Sequence, residues 1–127
     1  MINVVCAYIE INKNVLIARR GTGDLSVYGK WEFHGGKVEL LETEEAAIER
    51  EIMEEFDVKV KAGEKMAEVT HEYPNKTVHL SLYRCDYIEG DFKMHDDHLE
   101  YTWVHKEDLQ NFELAAADLE IIKKIQG

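Results

Sequence analysis

The sequence predicts an α/β (α+β) domain in which a mixed β-sheet is sandwiched between helices. Three observations carry that expectation. Runs of β-branched and alternating apolar residues recur between turn signals, an acidic segment in the first half holds an apolar stripe at helical spacing, and a second such stripe lies near the end of the chain. A length of 127 residues suits a single domain, residues 1–127, with a core of its own.

Taken in order, Val4 to Ile11 is rich in β-branched residues and reads as a strand. Asn12-Lys13-Asn14 is a turn signal, and Val15 to Ala18 returns as a second strand closed by Arg19 and Arg20. The glycine-containing stretch 21–30 reads as a loop, with Lys30 on the surface. A helix follows from about Thr43 to Phe56, with Thr43 as its N-cap and Glu44 and Glu45 suited to its positive end. Val58 to Val60 and Lys65 to Tyr73 read as two strands, Pro74-Asn75-Lys76 as a turn, and Thr77 to Tyr87 as the returning strand. Along it Val78, Leu80 and Leu82 face one way, and His79, Ser81 and Tyr83 the other. Glu89-Gly90-Asp91 turns the chain again, Met94 to His98 is a polar loop, and Glu100 to Val104 is a short strand. Lys106 to Phe112 and Asp118 to Ile125 are expected to be helical, the latter with Leu119, Ile122 and Ile125 as its apolar face. There is no internal repeat, linker or low-complexity tract.

Charge and composition narrow the function. A net charge of −11 disfavours a nucleic-acid polymer or an anionic membrane as partner, because either needs a basic face. No apolar run is long enough to span a bilayer, and the first residues lack a basic stretch followed by a long apolar segment. Two cysteines, Cys6 and Cys85, make neither a disulfide framework nor a metal motif. His71, His79, His95, His98 and His105 are scattered without zinc-ligand spacing. A cytoplasmic protein with reduced thiols is the expectation.

The chemistry concentrates between Trp31 and Val58. Ile48, Ile52 and Phe56 form one helical stripe, while Glu51 and Glu55 share a face and Glu54 lies one turn from Glu51. Carboxylates gathered beside a core-facing stripe repel one another unless a cation compensates them. Gly35-Gly36 just upstream lets the backbone approach a ligand closely. Loop carbonyls and helical carboxylates are hard oxygen donors, suited to Mg²⁺ with Mn²⁺ as a substitute. An acidic helix can instead be an ordinary solvated face, with Arg50 and Glu54 a common i, i+4 pair. The clustering of the acids on one flank and the diglycine argue for the metal.

This segment resembles the Nudix box, Gly-x5-Glu-x7-Arg-Glu-U-x-Glu-Glu-x-Gly-U, with U aliphatic. Residues 36–58 supply Gly36, Glu42, Arg50, Glu51, Ile52, Glu54, Glu55, Asp57 and Val58, so that only the last glycine is replaced, by Asp57. That position is a left-handed helix cap, which aspartate tolerates at modest cost. The flank Trp-Glu-Phe-x-Gly-Gly-Lys is similar to the MutT-type branch, with His34 where proline is usual.

The resemblance implies the Nudix α/β/α arrangement and a Mg²⁺-dependent hydrolase that splits a nucleoside triphosphate into a nucleoside monophosphate and pyrophosphate, water attacking the β-phosphorus. It places Gly35, through its carbonyl, with Glu51, Glu54 and Glu55 on the metal, one glutamate taking the proton of the water. Arg50 would orient Glu51 or Glu54, and Glu42 would brace the loop through Arg50. Asp97, six residues before Trp103, stands where the family carries a further metal carboxylate or base, with Glu100 as its competitor. Arg20, Tyr73, Val78 and Asp118 form the expected substrate-binding set. Arg20 would touch phosphate or base, Tyr73 would lie near the base or simply on the surface, and Asp118 would read the base or cap the last helix. An ionised Asp118 accepts only, which fits the amino group of cytosine or a guanine-type edge. Sanitation of the nucleotide pool (8-oxo-dGTP), a role allied to DNA repair, and hydrolysis of CTP or dCTP are the candidate activities, by a monomer or a homodimer. ADP-ribose or a dinucleoside polyphosphate as substrate, and a catalytically silent nucleotide-binding module, are the alternatives.

Overall fold

The computed structural model describes residues 1–23, 26–95 and 98–126. Two strands open the chain, β1 (Ile2–Ile11) and β2 (Asn14–Arg20), joined by Asn12 and Lys13 at φ 51° and 69°. Two consecutive left-handed residues give the hairpin turn whose twist matches the strands it joins. Two short strands follow, β3 (Trp31–Glu32) and β4 (Gly35–Lys37), then the helix α1 (Glu44–Phe56). The long hairpin β5 (Lys59–Tyr73) and β6 (Lys76–Glu89), the strand β7 (His98–His105), a 3-10 turn over Lys106–Asn111 and the helix α2 (Ala116–Gln126) complete it.

The strands join in the order β3-β2-β1-β6-β5, with β4 pairing β1 and β7 pairing β2. β1 and β6 run parallel, and the other pairings are antiparallel, so the sheet is mixed. Alternation along β1 divides the core in two. Cys6 and Tyr8 join Ile17, Phe33, Leu80 and Leu82 under Ile121 and Ile122 of α2, whereas Val5, Ala7 and Ile9 meet Ile48, Ile52 and Phe56 of α1. One helix therefore covers each face. Among the described residues no helix is long and apolar enough to cross a membrane.

Several boundaries differ from those the sequence predicts. The two strands expected after α1 are one, β5, whose pairing with β6 slips between Ala62 and Lys65 and again before Ala67. A strand that bulges stays in its sheet while its alternation breaks, so its pattern reads as two pieces. His98 begins β7 rather than ending a loop, the segment after β7 is a 3-10 turn, and α2 starts at Ala116 rather than at Asp118.

The diglycine sits where a side chain would meet the sheet backbone at Gly35 and displace the Glu51 carboxylate at Gly36. β4 lies against β1 with Cys6 opposite Gly35 and Val5 opposite Gly36. A Cβ on Gly35 would stand 1.7 Å from the Val5 carbonyl oxygen, and one on Gly36 would stand 2.3 Å from Glu51 Oε1. Both glycines serve close approach, one to the sheet and the other to α1.

Candidate active site

α1 presents its acids because both of its ends are fixed. The Thr43 hydroxyl accepts from the Ala46 N–H at 3.1 Å, and Asp57 takes the left-handed conformation, φ 58°, with its N–H donating to the Met53 carbonyl. Ile48, Ile52 and Phe56 anchor the helix in the core, which leaves the flank bearing Glu51 and Glu54 beside the diglycine.

Arg50 organises that flank. Its Nε and Nη2 donate to the two oxygens of Glu42 at 2.7 and 3.0 Å, a bidentate pair. Nη2 also reaches the Lys37 carbonyl at 3.2 Å, and Nη1 donates to Glu51 at 3.0 Å and Glu54 at 3.3 Å. Glu42 in turn accepts from the Glu39 N–H at 3.0 Å, which ties the loop before α1 to the helix. Burial pushes the Glu51 carboxyl up, but His34 and Arg50 outweigh it and hold it below the usual range. Glu42 is also held low, chiefly by Arg50.

The three helix acids have different surroundings. Glu51 lines a cleft of about 300 Å³ together with Arg20, Glu32, His34, Gly35, Gly36 and His98. Glu54 is 60 % exposed and held only by the long contact to Arg50. Glu55 is buried, its Oε1 lying 2.9 Å from Nδ1 of His98. The donor set fits a hard divalent cation: two carboxylates that Arg50 orients without burying, and a glycine backbone that lets the Glu51 carboxylate lie directly against the loop.

A second, smaller hollow of about 80 Å³ adjoins the first through Arg20, Glu32, Lys76 and Val78, and adds Tyr73 and Asp118. Arg20 bridges the two, with Nη1 3.3 Å from Glu32. Tyr73 is not simply on the surface, since its hydroxyl accepts from the Ala117 N–H at 3.1 Å and satisfies an orphan donor at the start of α2. Asp118 is not the N-cap of α2. It is buried within the first turn and accepts from the Phe33 N–H at 2.9 Å. Burial, with Glu32 nearby, pushes its carboxyl well above the usual range.

Of the expected residues, Arg20, Gly35, Gly36, Glu51 and Val78 line the cleft and Tyr73 and Asp118 the adjoining hollow, while Arg50 ties Glu42 and Glu54 to Glu51 and Glu55 meets His98. Two others are not among them. Asp97 lies outside the described residues. Glu100 pairs with Arg19 at 3.1 Å, 53 % exposed, and does not line the cleft. Three residues there carried no signal of their own in the sequence. His98, expected to be structural or exposed, is buried with both ring nitrogens 2.9 Å from carboxylates, Nδ1 to Glu55 and Nε2 to Glu32. Burial lowers its pKa, but the two carboxylates win and raise it. Glu32 enters because β3 pairs with β2, and Lys76 because the β5–β6 turn closes over both hollows. Only the pairing of distant strands brings these together. A larger hollow, about 500 Å³, lies around Tyr8, Arg84 and Lys106 and shares no residue with the cleft.

A family model described as NUDIX domain matches residues 4–124. The chain is 32 % identical to the CTP pyrophosphohydrolase of Escherichia coli (strain K12) over 123 residues, covering 97 % of this chain and 90 % of that protein. It is 36 % identical over 80 residues to the 8-oxo-dGTP diphosphatase of Proteus vulgaris, covering 63 % of this chain and 68 % of that one. The crystal structure of a MutT protein from Methanosarcina mazei Go1 superposes with a TM-score of 0.87 at 28 % identity, covering 98 % of this chain and 92 % of that one.

Proposed function

Because the chain belongs to the NUDIX domain family, we propose that it is a Mg²⁺-dependent nucleoside triphosphate pyrophosphohydrolase releasing a nucleoside monophosphate and pyrophosphate. The observation that carries this reading is the fan of Arg50 over Glu42, Glu51 and Glu54 at the mouth of the diglycine cleft. A silent binding module has no need of carboxylates oriented in this way.

A nucleoside triphosphate resists water because its phosphates repel nucleophiles and the leaving group carries charge. Glu51, Glu54 and the Gly35 carbonyl would hold a divalent ion, which would supply the charge that screens those phosphates and lowers the pKa of a water. The chain's own residues do the positioning. Arg50 helps to keep Glu51 ionised and aims both Glu51 and Glu54, and the exposed carboxylate of Glu54 is placed to accept the proton of the water. Arg20, Lys37 and Lys76 line the cleft and supply fixed positive charge for the polyphosphate.

The base belongs in the smaller hollow, between Tyr73, Val78 and Asp118. An Asp118 carboxyl held protonated by its burial would donate through its O–H and accept through its carbonyl oxygen, a pattern that cytosine (N3 beside N4–H) and a guanine-type edge (O6 beside N1–H) both complement. The relative named CTP pyrophosphohydrolase, which the chain resembles over nearly all its length, is what favours a cytidine nucleotide over an oxidised purine. The cytoplasm, which holds the nucleotide pool, is the compartment this reading assigns.

A hydrolysis panel with Mg²⁺ tests the proposal, using the common NTPs and dNTPs, 8-oxo-dGTP, 5-methyl-dCTP, ADP-ribose and a diadenosine polyphosphate, with pyrophosphate and orthophosphate assayed separately. The expected result is pyrophosphate release with the highest kcat/KM on a cytidine triphosphate. Preference for 8-oxo-dGTP would overturn the base assignment, and preference for ADP-ribose the substrate class. Binding without turnover would leave only a nucleotide-binding module.

A further inference from the structure

The hydrolytic reading leaves one group of side chains in the cleft unused. Glu32, His34 and His98 each offer one ligand atom, and those atoms all lie within 4.8 Å of one another. They belong to β3, to the link before β4 and to β7, gathered because β2 pairs with both β3 and β7, Ala18 opposite Glu32 and Arg20 opposite His98. We propose that this group is a second metal site, taking a borderline divalent ion of the zinc class on ligands other than the hard-oxygen donors of α1 that it adjoins.

Donor chemistry sets the class of ion. Two imidazoles and a carboxylate suit zinc and its neighbours, whereas Mg²⁺ favours oxygen alone. The orientation of His98 has the form a ligating histidine needs. Its Nδ1 faces the buried Glu55 carboxylate at 2.9 Å, which leaves Nε2 directed at Glu32. His34 adds an independent observation. It is 8 % exposed and lines the cleft, yet neither ring nitrogen has a hydrogen-bond partner. Its nearest charge is Glu51, with Nε2 3.6 Å from Oε2. A buried ring with two unsatisfied nitrogens calls for a ligand, and it stands where the MutT-type flank carries a proline with no donor at all.

Ligand atoms around a tetrahedral zinc stand roughly 3.3 Å apart, whereas His98 Nε2 and Glu32 Oε2 are 2.9 Å apart, so the ion takes the place of their shared proton, and the three ligand atoms, all within 4.8 Å of one another, draw in around it. Glu51 and Glu55 flank the group and offset the added charge. Three protein ligands leave positions for water or a substrate oxygen, as in catalytic rather than structural zinc sites. The proposal does not depend on which phosphoanhydride the protein cleaves.

The test is zinc titration by calorimetry in excess Mg²⁺, alongside ¹⁵N spectra of the histidine rings. The expected result is one zinc per chain that Mg²⁺ does not displace, with shifted ring nitrogens on both His34 and His98. His34→Phe, which retains an aromatic ring against Phe56, should weaken zinc by about tenfold or more. Absence of zinc binding in excess Mg²⁺, a ring spectrum of either histidine that zinc leaves unchanged, or undiminished zinc affinity in His34→Phe would each overturn the proposal. Should that variant fail to fold, the ring spectra of the unaltered protein decide.

Discussion

Arg50 holds three carboxylates and a carbonyl at once, and the roles of its neighbours follow from how firmly each is held. Glu42 receives two contacts, at 2.7 and 3.0 Å, Glu51 one at 3.0 Å, and Glu54 only contacts of 3.3 and 3.5 Å. Glu54 is thus the helix acid most free to change partner during a reaction. Glu54→Gln should lower kcat by roughly 10²–10⁴-fold at saturating Mg²⁺, with a thermal midpoint close to that of the parent, because the side chain is exposed. Near-normal turnover would remove Glu54 from the chemistry. His98 makes a prediction about stability. Its folded-state pKa is raised by Glu32 and Glu55, so its contribution is fully present below an unfolded value of about 6.5 and is lost as pH rises through the folded value. Urea midpoints of the metal-free protein should therefore fall as pH rises above about 6.5, and His98→Gln should flatten that slope. The buried thiols of Cys6 and Cys85, also raised, add a similar loss only above about 8.5. Arg50 and its acids could be read from sequence because their spacing is local to one helix. The partners of His98 could not, since Glu32 and Glu55 lie 66 and 43 positions away along the chain.

At the scale of the element, α1 carries the chemistry and its ends set its cost. Thr43 caps one end through a single hydroxyl, and Thr43→Ala should lower stability by about 1 kcal/mol. Two residues before that cap, Leu41 sits at φ 68° with its side chain 98 % exposed. It bears the steric penalty of the left-handed region with no packing in return, so Leu41→Gly should raise stability by about 1 kcal/mol in urea unfolding. Unchanged stability in both variants would show that the loop and helix start are not held as described. The helix was legible because its cap, apolar stripe and exit all fall within fifteen residues of one another. β5 was not, since its bulges interrupt the alternation by which a strand is recognised. The start of α2 was missed for a different reason. Asp118 looks like a cap in sequence, yet the hydroxyl that satisfies a first-turn N–H belongs to Tyr73, on another strand.

For the whole molecule, the difficulty is charge. A chain at −11 repels a triphosphate at long range, and the cleft meets it with only Arg20, Lys37 and Lys76. In the proposed reading a divalent ion offsets that charge, which ties recognition and catalysis to the same carboxylates. The sheet carries α1 on one face and α2 on the other, which sets Glu51 in the cleft and Asp118 in the hollow beside it, the places proposed for the phosphates and the base. In the proposed reading this arrangement directs water to the β-phosphorus of a nucleoside triphosphate. Hydrolysis in ¹⁸O-labelled water, read by mass spectrometry of the products, reports the phosphorus attacked. One ¹⁸O is expected in pyrophosphate and none in the nucleoside monophosphate. Label in orthophosphate beside a nucleoside diphosphate, or in the monophosphate itself, would overturn attack at the β-phosphorus.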